Sequence, residues 1–300
     1  MIRSTRAAKA FGALALATVL SFTLTACGSG SDSKAASGEK DDPIKIGVVG
    51  AAANDQWSVF ETQAEKAGIY VDIIDLGTYP LPNPALTEGE LDLNQFQHLQ
   101  YLAEYNVSSG QDLTPIGSTA IYPLSLYSNK YDSLDAIPQG AEIVVPNDPS
   151  NLARALLVLR DAGLVELKDG GSATSTELDV LDTSRVKVTP IDATQTVLNL
   201  DSVDGAVVNN DFVKDSGLKP ADALAADSAD SEGALPYINI WVSRAEDKDN
   251  KTFAKLVEIS QSPEVEAALQ EASLNTAVLV HKTPAELQTI LTPIQTALKK

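Results

Sequence analysis

Ile44-Lys45-Ile46-Gly47-Val48-Val49 is a short, mostly apolar run. That is the pattern of a strand buried on both faces of a parallel sheet. A helix follows it. Trp57, Phe60, Ala64 and Ala67 recur at helical spacing, Asn54 or Asp55 stands where a cap belongs, and Gly68 suits the stop. Residues 71–76 form the next strand. Further along, 90–93 read as short and extended, 96–105 as helical, and 112–128 as a long β-like region. A second group begins near Lys130. It has a strand at 142–145, a helix at 151–162 ended by Gly163, and strands at 186–188 and 206–208. Residues 222–232 are acidic and Ala/Ser-rich, the composition of a solvated loop or weak helix. A β-run covers 237–243.

The tail is helical. Ser262-Pro263 pairs a cap with proline at the first helical position. Thr283-Pro284-Ala285-Glu286 is a capping box. After it Leu287, Ile290, Leu291, Ile294 and Leu298 hold a stripe that core packing accounts for. No internal repeat is apparent. Alternating strands and helices predict an α/β fold with largely parallel sheets. The β-runs near 121–128 and 236–243 join the two groups. The expectation is a two-lobed fold with two crossing hinge strands: lobe 1 from 43–125 plus 240–300, lobe 2 from 126–239. Ligands favour such inter-lobe clefts.

The N-terminus has a different purpose. Arg3, Arg6 and Lys9 precede the apolar, small-residue stretch 11–25, which ends in Leu24-Thr25-Ala26-Cys27. A basic start, a short apolar run and small residues before a cut describe a secretory signal over residues 1–26. Cys27 is the only cysteine. An unpaired cysteine in an exported chain calls for an explanation. Leu-Thr-Ala-Cys resembles a bacterial lipobox, in which the cysteine is lipidated and becomes the new N-terminus. Acyl chains such as palmitate add about 0.8 kcal/mol of membrane affinity per buried CH₂. Residues 27–42 then read as lipidated cysteine and flexible tether. The expected location is the cell membrane, lipid-anchored on its extracytoplasmic face. The formal charge is −19, and removal of the leader takes away three basic residues and no acidic one. That charge disfavours nucleic acid as a partner.

Three stretches carry candidate chemistry. In Val145-Pro146-Asn147-Asp148-Pro149-Ser150-Asn151-Leu152-Ala153-Arg154, Asp148 or Ser150 can cap a helix whose N-terminus suits a carboxylate. Arg154 lies one turn in, on the face of Asn151, and a guanidinium fork can hold a carboxylate through two bonds. A surface arginine paired with a neighbouring acid fits the same residues equally well. The second stretch runs from Tyr79 through Phe96 and His98 to Tyr101. Aromatics are only 5% of the chain, so three of them beside a histidine could wall an apolar pocket suited to a thioether. Phe96 and Tyr101 would also serve as plain core. In the third, Asn209 ends a strand, and Asn239 stands among β-formers where an unpartnered amide is costly. It could meet an ammonium or a carboxylate, or make a structural hydrogen bond.

Other chemistries lack residues. Only His98 and His281 exist, so no zinc-like cluster is available, and no phosphate loop, dinucleotide fingerprint or nucleophile elbow is present. The expectation is a protein that is not an enzyme and needs no metal or cofactor.

Taken together, Tyr-Pro-Leu-Pro-Asn-Pro-Ala-Leu at 79–86, Asn-Gln-Phe-Gln-His-Leu-Gln-Tyr-Leu at 94–102, the 145–154 stretch, Ala-Val-Val-Asn at 206–209 and Pro-Tyr-Ile-Asn at 236–239 resemble the NlpA/MetQ family. These are the methionine-binding lipoproteins of bacterial ABC importers. The similarity spans residues 43–275. It implies a periplasmic-binding-protein-like fold, L-methionine or a related small amino acid as ligand, and an ABC transporter permease as partner. It also implies that Arg154 grips the ligand carboxylate with Asn151 beside it, and that Asn209 and Asn239 contact the polar end. Tyr79, Phe96, His98 and Tyr101 would surround the side chain, with Tyr122 lining the same cleft. Residues 50–55 and 170–182 depart from the family pattern. Family members also bind other small ligands, including a short peptide. A surface lipoprotein without a transport role is the remaining alternative.

Overall fold

The computed structural model describes residues 35–51 and 55–299. The leader, Cys27 and the tether to residue 34 lie outside the described residues. The chain opens with β1 (Ile44–Val48), α1 (Gln56–Lys66) and β2 (Val71–Asp75). β1 and β2 run parallel, from Ile44 beside Val71 to Val48 beside Asp75. Trp57, Phe60 and Ala64 of α1 are buried, while Ala67, expected on that face, is exposed just beyond the last turn. α2 (Pro82–Thr87) leads to β3 (Leu93–His98), and α3 (Leu99–Ser109) starts at once. The helix expected over 96–105 therefore begins later. Phe96 to His98 are strand because β3 is held on one side by β1 and on the other by the returning chain.

The β-like region 112–128 is three strands, β4 (Thr114–Ser118), β5 (Ala120–Ile121) and β6 (Ser125–Tyr127). β7 (Ala141–Pro146), α4 (Pro149–Asp161), β8 (Val186–Ile191), α5 (Ala193–Thr196), β9 (Gly205–Val208) and β10 (Ala225–Ala226) follow. The chain closes with β11 (Asn239–Ser243), α6 (Lys251–Ser260), α7 (Pro263–Ala272), β12 (Val278–Leu279) and α8 (Pro284–Leu298).

Two five-stranded sheets result, ordered β2-β1-β3-β11-β4 and β10-β6-β9-β7-β8, with β12 pairing β5. Both sheets are mixed. β11 runs antiparallel to β3 and β4, and β6 runs antiparallel to β9 and β10. Each of these strands follows a crossing from the other sheet, so no crossover helix forces it parallel.

The first sheet is covered on both faces. Trp57, Phe60, Trp241 and Phe253 fill one layer, and Leu102, Ile240, Leu287 and Leu291 another. The α8 stripe is thus core, and Thr283 and Glu286 make the capping box. α4 covers the second sheet through Leu152, Leu156 and Leu159.

The tether reading to Asp42 needs correction. Ala36 N–H donates to Asp92 Oδ1 at 2.9 Å, and Tyr70 N–H donates to Gly38 O at 2.8 Å. Buried Arg244 pairs with Asp92 and Asp247 beside this anchor.

Candidate functional site

The nine residues singled out in the sequence, Tyr79, Phe96, His98, Tyr101, Tyr122, Asn151, Arg154, Asn209 and Asn239, line one cavity between the two sheets. The first half supplies Tyr79 from the loop after β2, Phe96 and His98 from β3, Tyr101 from the start of α3, and Asn239 from the start of β11. Tyr122 lies on the first crossing. α4 supplies Asn151 and Arg154, and Asn209 follows β9.

The aromatic wall is continuous. Tyr79, Phe96 and Tyr101 sit with ring centroids 5.5–6.3 Å apart, within the range of favourable tilted contacts. Phe96 is buried and is also among the residues that line the cavity. Tyr101 Oη donates to Tyr79 O at 3.0 Å, which holds the two rings' positions together.

His98 is the N-cap of α3. Its Nδ1 accepts from Tyr101 N–H at 3.1 Å, which leaves Nε2–H to donate to Asn151 Oδ1 at 3.2 Å. Burial, then the Arg154 charge, lower its pKa to about 3, so the ring is neutral at physiological pH. Asn151 passes the order on: its Nδ2 donates to Asp148, the N-cap of α4, at 3.0 Å. Burial raises the Asp148 pKa against these hydrogen bonds.

Arg154 departs from the surface reading. It is 5% exposed, so it is no surface residue, yet an acid holds it. Nε donates to Asp227 Oδ2 at 2.5 Å, and Nη2 to Asp227 Oδ1 at 3.1 Å and to Tyr122 O at 2.8 Å. Its guanidinium lies 4.2 Å from the centre of the Tyr237 ring. The two-bond fork expected for a ligand is spent on Asp227. Only Nη1 has no hydrogen bond among the described residues. The β-run expected from 237 begins as a strand only at Asn239, and Tyr237 lies just before it.

Asn209 Oδ1 is buried with no hydrogen-bond partner among the described residues. Such an orphan costs about 1–3 kcal/mol, and a donor entering the cavity would remove that cost. Asn239 Nδ2 makes only a long contact, 3.5 Å, to Tyr237 O.

Sequence reasoning missed Asp227, Asp211 and Tyr237. Tyr79 Oη donates to Asp211 Oδ2 at 2.5 Å across the cleft. Burial pushes the Asp211 pKa up to about 6, the Tyr79 hydrogen bond opposes this, and the Asp75 charge adds to it. Gly50 packs closely beside Asp211: at φ +74°, a Cβ there would sit 3.2 Å from Asp211 O. Thr78 Oγ1 donates to Asp192 at 3.2 Å, a second tie between the halves. A neighbouring cavity shares Phe96, Tyr122, Asp211 and Asn239 and extends to Trp57 and Lys214. Among the described residues, no group of three or more His, Cys, Asp or Glu is arranged to hold a metal ion, and no helix is long and apolar enough to cross a membrane.

Comparison with known proteins agrees over most of the chain. The family model described as NlpA lipoprotein matches residues 44–280. A D-methionine-binding lipoprotein MetQ from Salmonella typhi is 38% identical over 250 residues, 81% of this chain and 88% of its own length. The structure of a nutrient binding protein from Burkholderia cenocepacia bound to methionine is similar with a TM-score of 0.72 and 38% identity, covering 79% of this chain and 99% of that one. The substrate binding protein of a methionine transporter from Streptococcus pneumoniae has a TM-score of 0.73 and 33% identity, covering 79% and 95%.

Proposed function

Because the chain belongs to the NlpA lipoprotein family, we propose that it is an extracytoplasmic binding lipoprotein that encloses L-methionine and delivers it to an ABC importer. The observation that carries this is a set of three unmet demands around one cavity. Arg154 Nη1 calls for an anion, orphaned Asn209 Oδ1 calls for a donor, and the Tyr79–Phe96–Tyr101 wall calls for an apolar chain. Carboxylate, ammonium and thioether on one α-carbon supply all three. The role is that of a carrier, not an enzyme. The lobes divide a little differently from the sequence reading: Ala229, Ala234, Tyr237 and Ile238 pack with Leu102 and Leu287, so lobe 1 comprises 43–124 and 229–299 and lobe 2 comprises 125–228, and closure on ligand presents the form the permease accepts. Cys27 carries the acyl anchor on the extracytoplasmic face of the membrane. A Cys27→Ala protein that still pellets with membranes would count against the anchor.

Titration calorimetry with L-methionine, D-methionine, a glycyl dipeptide and polar amino acids tests the ligand. L-methionine is expected to bind and the polar amino acids to fail. The names of the relatives make the D enantiomer the first competitor. No heat with any of them removes the proposal. The adjoining cavity toward Trp57 and Lys214 favours a second reading, a dipeptide ligand, and tighter binding of the dipeptide than of methionine would select it.

A further inference from the structure

We propose that Asp227 is the positioning residue of this site: it aims Arg154 at the ligand and restricts it to recognising the acid group through one nitrogen. The inference rests on the amino-acid-binding reading above. A guanidinium has five N–H groups in a rigid plane. Asp227 takes one on Nε and one on Nη2, and Tyr122 O takes the other on Nη2. The two on Nη1 remain, on a side chain that lines the cavity. The Tyr237 ring, centred 4.2 Å from the guanidinium carbon, packs against it and limits its movement.

Asp227 is itself fixed. Its Oδ1 accepts from Leu124 N–H at 2.9 Å, on the crossing between the sheets. One carboxylate thus ties the segment after β10, the first crossing and α4 to the same guanidinium. It also balances the Arg154 charge when no ligand is bound, since a buried unpaired cation is costly. Residues 222–232 are therefore part of the site's frame rather than a free solvated loop.

The test compares L-methionine with methioninamide, which lacks the negative charge but keeps the side chain and amine. Affinities are measured by calorimetry on wild type, Asp227→Ala and Asp227→Asn. Asp227→Ala is expected to weaken L-methionine about tenfold or more, roughly 1.4 kcal/mol per decade, and methioninamide much less. Asp227→Asn, which keeps an acceptor for Leu124 N–H and one guanidinium N–H, is expected to fall between. Retained methioninamide binding shows that the variants fold. Equal losses on both ligands would make Asp227 mere scaffold and overturn the proposal. So would unchanged or tighter L-methionine binding, since Asp227 would then compete with the ligand for Arg154. Wild type that binds neither ligand overturns the proposal together with the reading beneath it.

Discussion

At the scale of single residues, charge and orphaned polarity decide what the cleft can hold. Among the described residues lining this cavity, Arg154 is the one cation, and it is already paired. On the proposed reading, truncating it removes the partner of the ligand's carboxylate and strands Asp227. Arg154→Ala is expected to cost on the order of 2–5 kcal/mol of L-methionine affinity, read by calorimetry. An unchanged affinity would put the carboxylate elsewhere. Asn209 has the opposite signature. Its Oδ1 is buried without a partner among the described residues, and on the proposed reading the ligand's ammonium supplies one. Asn209→Ala should lower affinity by about 1–3 kcal/mol and leave the melting temperature of ligand-free protein unchanged or raised. A drop in both would mean that the side chain is structural. The residue types of the cleft were readable because they sit in ordered motifs along the chain. Asp227 was not. It lies 73 positions from Arg154 in a segment whose local composition is that of solvated surface, and a long-range ion pair leaves no mark in either neighbourhood.

At the scale of elements, the junction between β3 and α3 carries the most consequence, because His98 ends one and caps the other. Periodicity hid this boundary. All six residues of β3 are buried, so no alternation separates the strand from the helix that follows. Strand direction was equally hidden. β6 and β11 are antiparallel because of where the chain comes from, and pairing across a sheet is not a property of either strand alone. The helices were plainer, since caps such as Thr283–Glu286 and the α8 stripe are local signals. The His98 cap also makes a pH prediction. Its folded pKa, about 3, is below the ordinary 6.5, so the unfolded chain takes up the proton first as pH falls. Stability present above pH 6.5 is then lost as pH falls toward 3. Between pH 7 and pH 5 the loss from this residue is about 2 kcal/mol. His98→Asn keeps an oxygen acceptor at the cap and removes the titration. Thermal melts of the variant should fall less over that interval, and an identical slope would assign the pH dependence to other groups.

At the scale of the whole molecule, the two sheets are held facing each other by a few polar ties across the cleft. Tyr79–Asp211, Thr78–Asp192 and His98–Asn151 each join a residue of the first half to one of the second. Asn210–Thr276 and the packing of Tyr79 and Phe96 against Ala193 and Phe212 join them as well, and on the proposed reading a ligand bridging the same halves adds to these contacts and shifts the balance toward this arrangement. Asp211 tunes that balance. Its pKa is raised to about 6, so protonation favours the present arrangement, and ionisation as pH rises through 6 works against it. Asp211 as a residue is exposed, and solvent screening softens the effect. The Tyr79 hydrogen bond offsets it further by stabilising the ionised form. Tyr79→Phe keeps the ring in the aromatic wall and deletes only this tie. The variant should lose about 0.5–1.5 kcal/mol of ligand affinity. Small-angle scattering should find it wider than wild type without ligand and equal to wild type at saturating L-methionine. The difference between the ligand-free forms should grow as pH rises through 6, because the Asp211 carboxylate then faces the cleft without its donor. Identical radii of gyration and affinities at every pH would mean that the halves are held by packing alone and that Tyr79 serves only as wall.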